Sequence, residues 1–430
     1  MSTKRIVVVG GGWGGVAAAA AACKAGAEVT LLERADMLLG TGLVGGIFRN
    51  NGRFTAAEEM TALGSGDMFD AMDQCARHKN IEFPGHKHSS LYDVYEMEPA
   101  VKSRLLDMGI DVRLTASVKS AEKSGGRLVS VRTSGGETIE GDVFIDATGT
   151  SAFPGNCIKY GNGCAMCILR CHSFSPRVSI TTLAGVEEWD AVKANGNAGA
   201  MSGSCKLFKE SLSKDIVDTL ERTGVAVIPI PKELQTGSEK LSAKACQQYA
   251  TAAFAENIVL LDTGPAKLMT PYYPLEALRQ ITGCERARYE DPIAGGLGNS
   301  MRYFRFANCS NTTQAAGETT NIFCAGEKLG AMVGHTEAIV TGSLAGHNAV
   351  RYAAGIPLLT LPDSLAVGDF VNHVIGEMKR PECRGTKYTF SGSVYFERMK
   401  SLGLYTTDIG EIEERVRASG LSGIMGKTVI

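Results

Sequence analysis

Apolar residues along the chain fall into short blocks separated by glycine-rich breaks. Val7, Val8 and Val9 form a β-branched run of the kind that fills a buried strand. An alanine-rich block follows and reads as a helix that stops at Gly26, a favourable C-terminal cap. Residues 29–32 give a second strand. Residues 61–77 carry an amphipathic helical period, and residues 97–108 another helix. Residues 112–140 contain three or four short strand patterns, with Gly125, Gly126, Gly135 and Gly136 as turn signals. Residues 143–145 return to a buried strand. Farther on, strand patterns at 178–182 and 225–230 flank a polar, helix-like stretch at 206–222, and residues 258–261 are another strand. A last buried strand at 322–325 runs through a glycine-rich loop into a helix starting near Gly334. The C-terminal part ends in a charged helical segment at 409–419. No repeat or low-complexity stretch interrupts this order. Strands alternate with helices, so the expected class is α/β.

The first break carries chemistry. Gly10, Gly12 and Gly15 stand in the spacing G-x-G-x-x-G, between the first strand and the first helix. The first glycine permits a tight turn, the second lets the backbone approach a pyrophosphate, and the third lets helix pack on strand. Glu33 closes the second strand, where a carboxylate accepts from both hydroxyls of an adenosine ribose. Strand, turn, helix, strand and acid in this order predict a dinucleotide site. Gly14 and Arg34 stand beside these residues and join the expected cofactor contacts. The loop that follows holds Gly40, Thr41, Gly42, Gly45 and Gly46; we expect it, through Gly42, to pass beside the cofactor.

Charge and composition narrow the partners. The net charge is −2 and the sequence pI about 6.4, so no basic surface is implied and nucleic acid is not an expected partner. No uninterrupted apolar stretch reaches the roughly 18 residues that span a membrane. No secretory signal precedes the first strand, so the expected location is cytoplasmic. Twelve cysteines in a reducing compartment point to metal, cluster or redox chemistry rather than disulfides. Cys23 and Cys324 lie in apolar elements and read as core residues. Between residues 83 and 94, Pro84 and Gly85 make a turn followed by His86 and His88. These two are candidate acid, base or electrostatic groups for a substrate; the alternative is a solvated loop.

Further signatures complete the pattern. They are DATGT at 146–150, with Thr148 and Gly149, and CAGEKLGAMVGHTEAIVTGSLAG at 324–346, with Gly326, Glu327 and Gly334. With GGGWGG at 10–15 and GLVGG at 42–46, they make the chain resemble FAD proteins of the two-dinucleotide-binding-domain type. Within these it is similar to the group containing the glucose-inhibited division protein A family and the folate- and FAD-dependent tRNA uridine methyltransferases. The piece IPLLTLPDSLAVGDFVNHV at 356–374 also resembles the tail of the folate-dependent members. The resemblance implies a Rossmann-like FAD-binding domain of the ββα, glutathione-reductase-like type, with a β-meander and an inserted α+β substrate domain. On that basis residues 1–155 are the first part of the FAD-binding domain, with the meander at about 110–142. Residues 156–315 are the insert, 316–360 the last part of the FAD domain, and 361–430 a C-terminal helical tail. The resemblance further implies that Thr148 and Gly149 line the ADP half of FAD. Gly326, Glu327 and Gly334 then serve the ribityl chain and flavin, and the closing helix points at the flavin pyrimidine and stabilises the anionic reduced ring. Small residues at Gly342, Ala345 and Gly346 are expected to let that helix pack on the sheet. Two departures keep the tRNA substrate from carrying over. Thr41, Gly42 and Leu43 stand where the tRNA enzymes generally have a cysteine, and neither a strongly basic balance nor the long helical extension of the division-protein members is expected.

The most individual stretch carries Cys157, Cys164, Cys167 and Cys171 in the spacing C-x6-C-x2-C-x3-C. Four thiolates converging on one centre hold iron or zinc, the fourth here being Cys157 or another cysteine such as Cys205. The residues allow three readings: a [4Fe–4S] cluster exchanging electrons with FAD, a redox-active dithiol at Cys164 and Cys167, or a structural zinc site. His172 is a candidate acid, base or ligand beside them, or a solvated loop histidine. The expected function is thus an FAD-dependent oxidoreductase acting on a small-molecule substrate or a redox partner protein, possible also as a homodimer. Its rivals are a folate-linked RNA methyl transfer and a flavoprotein electron-transfer subunit of a larger complex.

Overall fold

The computed structural model describes residues 3–149, 178–192, 196, 200–201, 205–235, 247–270, 273–290, 301–302 and 304–430. Its centre is a five-stranded parallel sheet. In spatial order the strands are Ile322–Cys324, Val143–Asp146, Arg5–Val9, Glu28–Leu32 and Asp111–Arg113. Ile6 to Val8 and Val143 to Ile145 are wholly buried, as a strand covered on both faces requires. All five strands run the same way, so their carboxyl ends share one edge. In such sheets that edge is where ligands bind.

The opening helix, Trp13–Lys24, covers one face of the sheet, and the closing helix, His335–Ala353, packs across it. A Cβ at Gly342 would lie 2.1 Å from the Gly14 carbonyl oxygen, and one at Gly346 2.1 Å from that of Ala18. The expectation that these glycines seat the helix on the sheet is therefore corrected. They seat it on the opening helix, backbone against backbone.

The three-stranded antiparallel meander is Val118–Ser124, Arg127–Thr133 and Thr138–Glu140, with positive φ at Gly125, Gly126 and Gly136 at its turns. The strand signal at residue 112 belongs instead to the parallel sheet. A four-stranded antiparallel sheet follows farther along the chain: Cys205–Leu207, Ala266–Leu268, Asn257–Asp262 and Val225–Pro229. It encloses its own apolar cluster around Leu207, Leu220, Leu260 and Leu268.

Three sequence expectations fail locally. The single helix expected at 61–77 is two helices, Gly52–Ala62 and Asp67–Gln74, followed by the strand Ala76–Phe83. Gly64, at φ +90°, and Gly66 supply the break. The strand expected at 178–182 is the helix Ile180–Ala184. The Ser179 hydroxyl accepts from the Thr182 amide and Asp146 accepts from the Thr181 amide, and this anchoring overrides β-branched propensity. The helix expected at 206–222 divides into the strand Cys205–Leu207 and the helix Lys214–Thr223. Among the described residues no helix is long and apolar enough to cross a membrane.

Candidate functional site

One cleft runs along the carboxyl edge of the sheet and encloses about 1400 Å³ including its open mouth. Eleven of the twelve residues expected to hold a cofactor line it: Gly10, Gly12, Gly14, Glu33, Arg34, Gly42, Thr148, Gly149, Gly326, Glu327 and Gly334. Gly15 lies beneath it. A Cβ there would be 1.8 Å from the Gly10 carbonyl oxygen, and a Cβ at Gly10 would be 2.4 Å from that of Ala147. Both positions are therefore fixed by the protein's own packing. Gly12 is different: nothing lies within 4 Å of its Cβ position, and it faces the cleft.

At the end of the second strand Glu33 is held by two backbone donors. Its Oε2 accepts from the Gly11 amide at 2.6 Å and its Oε1 from the Ala35 amide at 2.9 Å. Two helices begin at the cleft, at Gly12 and Gly334, and neither start is capped by a side chain. Their first N–H groups and partial positive charge face the same space. The glycine-rich loop divides. Leu39 to Gly42 line the cleft, whereas Gly45 packs against the His335 ring and Gly46 against Thr263.

Around the start of the closing helix the wall is polar and tightly held. Tyr92, fully buried, donates to the Gly42 carbonyl at 2.9 Å and lies 3.1 Å from His335 Nδ1. Gly42 has only an acceptor to offer, so the Tyr92 proton lies on that side and the His335 Nδ1–H donates to the phenol oxygen. Trp13 packs against both rings, with centroids 6.2 and 5.9 Å away. Arg53 also faces the cleft. Its Nε lies 3.1 and 3.2 Å from the two oxygens of Glu337.

The sequence profile described as glucose inhibited division protein A matches residues 5–263 and 269–357. The chain belongs to this family. It is an FAD-dependent enzyme. Two solved structures of Aquifex aeolicus GidA share its fold. The form II crystal superposes with a TM-score of 0.62 at 15% identity, over 97% of this chain and 76% of that one. The form I crystal gives 0.58 at 15% identity, over 97% and 78%. None of the curated protein sequences compared with the chain matches it.

The cleft of this family member fits FAD on its own geometry. Gly12 leaves a space the protein does not use, Glu33 stands where a ribose would be gripped, and two uncapped helix starts face the interior. The histidine candidates are not brought there. His86 is buried and stacks between Phe83 and Tyr249 at 4.6 and 4.8 Å, behind the cleft wall. Burial, and then the nearby Arg53 charge, push its pKa down to about 3, so it is neutral and no acid near pH 7. His88 lies on the outer side of the same strand, against Phe54 and Asn80. Neither lines the cleft. His172, Cys157, Cys164, Cys167 and Cys171 lie outside the described residues. Among the described residues no three His, Cys, Asp or Glu side chains are grouped to hold a metal. Cys324 is buried as expected, whereas Cys23 is half-buried and its thiol lies 3.2 Å from the Met108 carbonyl.

The sequence reading missed Trp13, Arg53, Gln248, Tyr249, His335 and Lys387, all of which line the cleft. Trp13 and His335 adjoin the glycine motifs and were within reach of it. Arg53, Gln248, Tyr249 and Lys387 come from segments that only folding brings together.

Proposed function

We propose that this FAD-dependent enzyme passes electrons between its bound flavin and a centre ligated by Cys157, Cys164, Cys167 and Cys171, serving a small-molecule substrate or a redox partner protein. The observation that carries the reading is where the cysteine-bearing segment begins and ends. Gly149, before it, and Val178, after it, both line the cleft. The C-x2-C pair and its two neighbours supply four thiolates in that one segment, the donor set of an iron–sulfur cluster. FAD supplies two-electron chemistry that also divides into single-electron steps, and a one-electron centre is a natural counterpart. The chain's own residues bind and orient it. Gly12 and the opening helix receive the pyrophosphate, Glu33 the ribose, and Gly326 with the closing helix the flavin end.

The test is anaerobic purification followed by an absorption spectrum and by iron and acid-labile sulfide assays. Flavin bands with about four iron and four sulfide per chain, lost in Cys164→Ser, are expected. Flavin bands without iron would sink the cluster. Thiol titration and zinc analysis would then decide between a dithiol and a structural metal.

A further inference from the structure

The Arg53–Glu337 pair stands at the start of the closing helix and has no role in the function described so far. Arg53 is the second residue of the Gly52–Ala62 helix; Glu337 lies in the first turn of the closing helix and is wholly buried. The guanidinium is held from several sides. Nε faces both Glu337 oxygens, Nη1 donates to Asn50 Oδ1 at 3.3 Å, and Nη2 donates to Thr389 Oγ1 at 3.1 Å. Glu337 Oε1 in turn accepts from Thr389 Oγ1 at 2.6 Å and the Phe390 amide at 2.8 Å. Gly334 makes room for the pair: a Cβ there would lie 2.0 Å from Arg53 Nη2 and 2.0 Å from Glu337 Oε2.

A buried ion pair is seldom the most stabilising use of a site, because desolvation offsets the attraction. This pair has a direction as well. Arg53 lines the cleft, whereas the carboxylate sits behind it in the helix. The positive member of the pair is therefore the one that lines the cleft, beside an uncapped helix start of the same sign. Fixed charge in a water-poor site acts strongly and needs no reorganisation.

We propose that Arg53 is the preorganised charge that raises the reduction potential of the bound flavin, and that Glu337 is a positioning residue that moderates it. The inference rests on FAD occupying the cleft and not on the cysteine centre. Removing the positive end leaves the reduced, more negative flavin less favoured. Removing the negative end takes away the Glu337 charge that offsets Arg53 and favours reduction. The two substitutions therefore shift the potential in opposite senses, which a merely structural pair would not do.

The experiment is a reductive titration of the FAD-loaded full chain against a reference dye, with flavin content and melting temperature measured on each sample. Arg53→Met should disfavour two-electron reduction tenfold or more, a fall of about 30 mV. Arg53→Lys keeps the charge without the fork, so it should melt earlier yet retain a potential close to wild type. Glu337→Gln should raise the potential. Shifts of the same sign in Arg53→Met and Glu337→Gln, or an Arg53→Lys potential that falls with Arg53→Met, would overturn the proposal. A wild-type chain that takes up no FAD would overturn the cleft assignment itself, and flavin content distinguishes that result from the others.

Discussion

Gly10, Gly12 and Gly15 belong to one turn, yet the protein's own packing requires only two of them. An alanine methyl at Gly15 would sit 1.8 Å from a backbone oxygen that cannot move without the first strand. Gly15→Ala should therefore cost at least about 1–3 kcal/mol, as overpacking does, or abolish folding. Gly12 has φ −71°, which any residue adopts, and an empty Cβ position. Gly12→Ala should leave the FAD-free protein within about 0.5 kcal/mol of wild type. Its methyl would occupy the space a pyrophosphate needs, so FAD affinity should fall at least about tenfold, or about 1.4 kcal/mol. Melting of the FAD-free protein and flavin fluorescence titration measure the two effects separately. Unchanged FAD affinity in Gly12→Ala would remove Gly12 from the site.

Among the elements, the crossing of the opening and closing helices sets the cleft's geometry, because both helices start at it. Gly342 and Gly346 meet Gly14 and Ala18 without side chains between them. Gly342→Ala should push the helices apart, lower stability by about 1–3 kcal/mol and weaken FAD binding as well. Gly376, inside the Ala366–Met378 helix, has nothing within 4 Å of its Cβ position. Gly376→Ala should therefore stabilise by up to about 1 kcal/mol through helix propensity alone. Opposite movements of the melting temperature in the two variants are expected. A stabilising Gly342→Ala would contradict the crossing described here.

Across the whole molecule, residues 179–188 are joined to the loop after the last strand of the parallel sheet by a buried charge network. Lys328, fully buried, lies 2.7 Å from Glu188 Oε1, and Ser179 and Thr181 donate to the same oxygen. Burial alone would raise the Glu188 pKa; the Lys328 charge and the hydroxyl donors overrule it and hold the group at about 2. Its contribution is thus present above the ordinary value of 4.5 and is lost as pH falls from there towards 2. His86 acts in the same sense. It is neutral when folded down to about pH 3 but takes a proton below about 6.5 when unfolded, so acid favours unfolding. Through these two groups the protein should lose stability below about pH 6.5, against the buried Glu59, whose pKa burial raises to about 7 and which acts in the opposite sense. Glu188→Gln strands the Lys328 charge and should cost about 3–5 kcal/mol near neutral pH, with a shallower acid limb. Urea unfolding near pH 7 and near pH 4 measures this. A variant whose stability parallels wild type at both pH values would refute it.

By itself the sequence determined the nucleotide-binding half of the protein: the strand ends, the glycine turn, Glu33, the last strand and the helix that starts at Gly334. These are local matters. β-branched runs, glycine spacing and helical period act over a few residues and leave their mark in order along the chain. Only the tertiary structure decided the rest. The sequence expected helix and strand at 61–77 and 178–182, but Gly64 with Gly66 and the Asp146 carboxylate changed both. It offered His86 and His88 as chemical groups, but packing put one behind the wall and the other outside it. It gave no sign of Arg53, because the partner that orients Arg53, Glu337, lies 284 residues away. Nor did it mark Lys387, which reaches the cleft from a segment that reads as a tail. A side chain's electrostatic role depends on what surrounds it in space, and long-range packing supplies those surroundings.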